Sequence, residues 1–91
     1  MTVTVPDHVV YRTFTNETVV LNLQTGTYHG LNPTGGRMLE VLERVGRVDE
    51  AASRLAAEYA RPLAEIEEDL CAFCQDLERR GLIELSLNGH A

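Results

Sequence analysis

Cys71 and Cys74 stand as C-x-x-C, the spacing at which two thiols can share a zinc ion or exchange a disulfide. The pair falls inside a helical segment and not at its N-terminus, where the helix dipole would favour a thiolate. Zinc needs four ligands; there is no second cysteine pair, and His8, His29 and His90 are scattered without metal-ligand spacing. Both residues therefore read as plain cysteines, Cys74 near an apolar helix face, and a reducing compartment makes a disulfide unexpected. Ser53 and Ser86 lack the strained, glycine-flanked turn of a hydrolase nucleophile. Glu67 and Glu68 read as solvated helix surface, and Gly35-Gly36 has no following lysine to make a phosphate loop. These residues point to no enzyme, no cofactor and no metal.

The elements that would hold a site are easier to read. Val9–Phe14 and Thr18–Leu23 are rich in β-branched and aromatic residues and predict strands, with Val19, Leu21 and Leu23 alternating onto one face. Thr25-Gly26 supplies a tight turn into a third strand, Thr27–Leu31, completing an antiparallel meander. Tyr28 and Leu31 fall on opposite faces by parity unless Gly30 marks a bulge. Asn32 can cap a first helix over Pro33–Val45, because Pro33 suits the first helical position and Gly46 a helix end. The Gly35-Gly36 pair in its first turn suggests close packing against the sheet. A second helix is expected from Asp49, as N-cap, to Ala60, burying Ala52, Leu55, Ala56 and Tyr59. A third is expected from Pro62 to Arg80, with Leu63, Ile66, Leu70, Phe73 and Leu77 on its core face. Leu82–Leu87 reads as a short closing strand or extended tail.

Ninety-one residues predict one domain over 1–91, with its core at about 8–87. The fold class is α+β and winged-helix-like, an N-terminal three-stranded antiparallel sheet followed by three helices. Apolar content of 44 % suits a soluble chain, and no apolar run approaches the ~20 residues needed to span a bilayer. The segment Met1–Asp7 lacks the basic region and apolar core of a secretory signal, so a cytoplasmic location and no membrane partner are expected. Net charge is −6, and all eight basic residues are arginines. Such a balance repels phosphate backbones and favours a peptide or protein partner over nucleic acid.

One surface stands out. The third strand, Thr27–Leu31, is short and lacks lysine or proline to block edge pairing. Beside the third helix it either forms a groove that accepts an extended peptide as an added strand, or is covered by that helix. The residues alone leave both open.

Tyr28-x-Gly30-Leu31-Asn32-x-Thr34-Gly35, Met38-Leu39-x-x-Leu42, Val48-Asp49-Glu50-Ala51-Ala52, Leu55-Ala56-x-x-Tyr59 and Leu77-x-x-x-Gly81-Leu82-Ile83 follow one another in fixed order. In this the chain resembles the pyrroloquinoline quinone synthesis protein D family, from about Val9 to Leu85. The family's fold also serves as the precursor-recognition domain of many peptide-modifying systems. The departures are Pro33 and the Gly35-Gly36 pair, where many relatives place a non-glycine residue after Thr-Gly.

The resemblance implies a non-catalytic component that binds the leader of a ribosomally made precursor peptide, most like the leader-binding subunit of bacterial lasso peptide systems. A separate leader peptidase or other modifying enzyme is the further partner it implies, and leaders there commonly carry a Tyr-x-x-Pro element. The leader is expected to pair with Thr27, Tyr28, His29, Gly30 and Leu31. Leu70, Phe73, Cys74 and Leu77, or their exposed edges, are expected to line an apolar pocket. At about 100° per residue, Asp69 and Asp76 flank one side of that stripe and Glu67 and Glu78 the other; Asp69 and Asp76 are expected to meet basic leader residues. Proline at His29 should abolish pairing if that N–H points outward. The rival is a winged-helix DNA-binding transcriptional regulator. Against it, the third helix carries Glu65, Glu67, Glu68, Asp69, Asp76 and Glu78 with only Arg79 and Arg80 at its end; a recognition helix needs cations to meet phosphates and bases.

Overall fold

The computed structural model describes residues 1–87; His90 lies outside the described residues. Five strands and three helices follow in the order β1 (Thr2–Thr4), β2 (Val9–Thr13), β3 (Thr18–Asn22), β4 (Thr27–Leu31), α1 (Pro33–Val45), α2 (Val48–Tyr59), α3 (Leu63–Arg79) and β5 (Glu84–Ser86). The predicted meander is present as an antiparallel sheet of order β2-β3-β4. A second, two-stranded sheet joins β1 to β5, with Val3 opposite Leu85. The sequence reading missed β1, whose three residues are too short to show a period. Tertiary bonds hold it: the Val3 N–H donates to the Gly46 carbonyl at 2.9 Å and the Val48 N–H to the Met1 carbonyl at 3.0 Å.

The three helices form for the reasons anticipated, with changes at their edges. Asn32 Oδ1 accepts from the Gly35 N–H at 2.7 Å, and α1 ends at Gly46 in the left-handed region at φ 73°. The cap of α2 lies two residues ahead of the expected one: Arg47 holds the N-cap position without a side-chain bond, and Asp49 sits in the first turn. Ala52 and Leu55 are buried there as expected, together with Val48 and Ala51, but Tyr59 is 38 % exposed at the helix's last turn. On α3 the buried residues are Ile66, Leu70, Cys74 and Leu77, whereas Leu63 is 45 % exposed. The core stripe begins at Ile66, one turn later than the sequence suggested.

Val19, Leu21 and Leu23 share one face of β3, as expected, but that face is not the one that meets the helices. On β3 the buried residues are Thr18, Val20 and Asn22, while Val19 and Leu21 are only partly covered and Leu23 is exposed. The more apolar face of this strand thus looks outward, forming a shallow depression with Val10, Arg12 and Phe14. The inner face packs on α1 around Val9, Val20, Leu31, Met38, Leu39 and Leu42. Thr18 is tolerated there because its hydroxyl donates to Thr13 Oγ1 at 3.2 Å, and Asn22 because its Oδ1 accepts from the Gln24 and Thr25 N–H groups. Tyr11, on the same face, donates to a carboxylate oxygen of Glu43 on α1; burial, then this bond, raises its phenol well above the ordinary range.

Gly36 shows why the sheet and α1 can lie this close. A Cβ there would stand 2.8 Å from Thr18 Cβ, inside any allowed contact. The close packing expected of the glycine pair is therefore located at Gly36 against β3.

Candidate functional site

β4 has a strand neighbour on one side only, so the expected edge is open among the described residues. Its register fixes which backbone groups that edge offers. The Phe14 N–H donates to the Glu17 carbonyl and the Leu23 N–H to the His8 carbonyl, each at 2.7 Å, so odd-numbered residues of β3 bond toward β2. In an antiparallel ladder the alternate residues then bond the other way. Thr18, Val20 and Asn22 therefore face Leu31, His29 and Thr27, their partners on β4. The N–H and C=O of Tyr28 and Gly30 are left pointing to the open edge. This corrects the expectation for His29: its N–H points into the meander. Gly30 pairs with Val19 in unbroken register, so there is no bulge, and Tyr28 lies on the outer face while Leu31 lies on the inner one.

Alongside the last residues of β4 runs a groove of about 490 Å³ whose far wall is α3. It is lined by Gly30, Leu31, Asn32, Thr34, Gly35 and Met38 on one side and by Asp69, Ala72, Phe73 and Arg80 on the other. Gly35 forms part of its floor: a Cβ there would lie 3.4 Å from the Phe73 ring and 3.5 Å from Leu31 Cβ. The helix does not cover the edge; it stands back from it by this groove.

Of the four apolar residues expected to line a pocket, the structure brings only Phe73 to the groove. Leu70, Cys74 and Leu77 are 0 %, 1 % and 0 % exposed and belong to the core, one step round the helix from the lining. They back the wall without being reachable. Asp69, Ala72, Phe73 and Arg80 form a stripe at three- and four-residue steps, the adjoining face of the same helix. Asp76, on that stripe, is half-buried and bonded to both Arg79 (2.7 Å) and Arg80 (3.0 Å), whose guanidinium groups hold its carboxyl below the usual range. Asp69 Oδ2 meets Arg61 at 3.4 Å. Glu67 lies on the opposite flank, beside Met1, Val48, Asp49 and Cys71. Thr27 is exposed at the hairpin end of β4, away from the groove lining, and Tyr28 is 73 % exposed.

Six groove residues escaped the sequence reading: Asn32, Thr34, Gly35, Met38, Ala72 and Arg80. Arg80 could have been found by extending the Asp69–Phe73–Asp76 progression one more turn. Met38 read only as part of the helix motif Met38-Leu39-x-x-Leu42, Asn32 as a helix cap and Gly35 as a packing glycine, while Thr34 and Ala72 gave no chemical signal.

Cys71 is exposed and Cys74 buried, and they are free thiols. Burial, then the nearby Cys71 and Glu78, pushes the Cys74 thiol up to about 11, so it is protonated and unreactive at neutral pH. Among the described residues no group of three or more His, Cys, Asp or Glu side chains is arranged to hold a metal ion. No described helix is long and apolar enough to cross a membrane. Arg54 and Arg61, the cations on and after α2, are bonded to Glu50 (3.3 Å) and Glu65 (3.0 Å).

The family model for coenzyme PQQ synthesis protein D (PqqD) matches residues 17–83. Among solved structures, "TbiB1 in Complex with the TbiA(beta) Leader Peptide" is similar with 35 % identity and a TM-score of 0.81, covering 97 % of this chain and 98 % of that one. "Lasso peptide synthetase B1 complexed with the leader peptide" shares the fold at a TM-score of 0.81 and 20 % identity, over 93 % of this chain and 100 % of that one. No curated protein matches the sequence.

Proposed function

The chain belongs to the coenzyme PQQ synthesis protein D family, and from that premise we propose that it is a non-catalytic recognition module for the leader region of a ribosomally synthesised precursor peptide. The leader adds to β4 as a further antiparallel strand, bonding the outward N–H and C=O groups of Tyr28 and Gly30, and lays an apolar side chain against Phe73. The observation that carries this reading is the coincidence of an unpaired strand edge with an open groove, in a chain 35 % identical to TbiB1, which was solved with the TbiA(beta) leader peptide. The bound precursor is delivered to a leader peptidase or other modifying enzyme of lasso peptide-type biosynthesis, in the cytoplasm. The ion-paired arginines on and after α2, Arg54 and Arg61, and the acidic flank of α3 weigh against the DNA-binding alternative.

The test is fluorescence anisotropy with a labelled TbiA(beta) leader peptide and, separately, a labelled DNA duplex, without nucleotide or metal. Saturable peptide binding is expected, and none to DNA. Binding to the duplex alone would transfer the case to a regulator.

A further inference from the structure

The two ends of the groove carry opposite charge, and its direction can be read from the packing. α3 runs opposite to β4. Phe73 stands at the Leu31 end, where a Gly35 Cβ would touch its ring, while a Gly81 Cβ would lie 3.9 Å from Asn22 Nδ2, and Asn22 pairs with Thr27. Asp69, one turn before Phe73, therefore sits beyond Leu31. Arg80, next to Gly81, sits toward Thr27. Both line the groove. The helical rise puts their positions about 16 Å apart, the length of about five residues of extended strand.

Neither charge is cancelled by its own ion pairs. Arg61 is shared between Asp69 (3.4 Å) and Glu65 (3.0 Å), one guanidinium against two carboxylates, which leaves that end negative. Asp76 is shared between Arg80 (3.0 Å) and Arg79 (2.7 Å), one carboxylate against two guanidinium groups, which leaves the other end positive. The dipole of α3 has the opposite sense, but it amounts to about half a charge at each terminus, less than the unit side-chain charges that line the groove.

We infer that this polarity makes the groove selective for charge order along the peptide: it takes a strand that is basic at its N-terminal flank, near Asp69, and acidic roughly five residues later, near Arg80. The direction follows because a strand antiparallel to β4 enters at the Leu31 end and leaves at the Thr27 end. The inference rests on the strand-addition reading above and specifies the chemistry of the peptide it accepts. Lying at the rim of the groove, these charges act chiefly on encounter and on rejection of wrong partners, while Phe73 supplies the anchor.

Two sets of TbiA(beta) leader peptides test it. One carries Lys and, about five residues later, Glu, the pair being moved along the peptide residue by residue; the other has the two charges exchanged. At low salt the best Lys-first peptide is expected to bind the wild-type chain about tenfold more tightly than any Glu-first peptide. The gap should close as salt is raised to about 0.5 M. A chain with Asp69→Arg and Arg80→Glu, both at exposed positions and checked for folding by circular dichroism, should invert the preference. Equal saturable binding of both sets, or a preference the reversed chain keeps, would overturn the charge order and leave strand addition standing. No saturable binding of any peptide would overturn strand addition itself, and the charge order with it.

Discussion

At the scale of single residues, the outcome turns on which way each backbone group of β4 faces. His29 bonds toward β3 and Gly30 toward the open edge. Proline at the two positions should therefore fail differently. Gly30→Pro removes an outward N–H and is expected to abolish leader binding in a chain that still melts cooperatively. His29→Pro removes a ladder bond inside the sheet and is expected to lower the melting temperature itself. Thermal melts beside peptide titrations separate the two, and loss of binding without loss of stability at His29 would reverse the register argument. Phe73 is the one large apolar side chain that α3 gives to the groove. Phe73→Ala should weaken leader binding by about 2 kcal/mol or more, read as a dissociation constant against a melting temperature that falls less. Leu70→Ala, by contrast, opens a cavity in the core and should cost about 2–5 kcal/mol of stability, which urea unfolding would register.

Elements are joined by contacts that local sequence does not announce. Arg37 of α1 grips Glu58 of α2 through two N–H groups, with Nε 2.9 Å from Oε2 and Nη2 2.7 Å from Oε1. Bonding to this guanidinium holds the Glu58 carboxyl below its usual range. A carboxyl depressed in the folded state adds stability above its unfolded value and loses it as pH falls through the folded one. The clasp should therefore contribute evenly from pH 8 to pH 6 and fade below roughly pH 4.5. The two side chains are 33 % and 39 % exposed, so solvent screens the pair and the effect should stay under about 1 kcal/mol. Urea midpoints of wild type and Glu58→Gln, compared across that range, should converge in acid; a gap that stays constant would assign the loss to packing.

For the molecule as a whole, the decisive contact is between the sheet and α1. Gly36 lets the helix lie against Thr18 so closely that any side chain would meet it. Gly36→Ala should destabilise by about 1–3 kcal/mol despite the better helix propensity of alanine. Thr18→Ala should rescue it only in part, because the Thr18 Cβ would still stand 2.8 Å away. Chemical denaturation of the single and double variants gives the coupling. Since α1 also carries Gly35 and Met38 to the groove, the same shift should weaken leader binding.

The local sequence determined β2 to β4 to within a residue, both ends of α1, and the order of the elements from β2 onward, because caps, turns and periodicity act between neighbours in the chain. Asn32, Pro33 and Gly46 set α1 in this way, and the Thr27–Leu31 strand was legible to the residue. It also marked the third strand and third helix as the place to look, largely through the family pattern of Gly30-Leu31-Asn32-x-Thr34-Gly35. Three things were decided only in three dimensions. β1 exists because β5 and the α1–α2 turn receive it, a pairing across almost the whole chain. The buried face of β3 is its more polar one, because Thr18 and Asn22 find partners there that no pattern of apolar residues reveals. The groove takes Phe73, Asp69 and Arg80 but not Leu70, Cys74 or Leu77, since a rotation of α3 by a single residue step decides which stripe meets the core and which meets solvent.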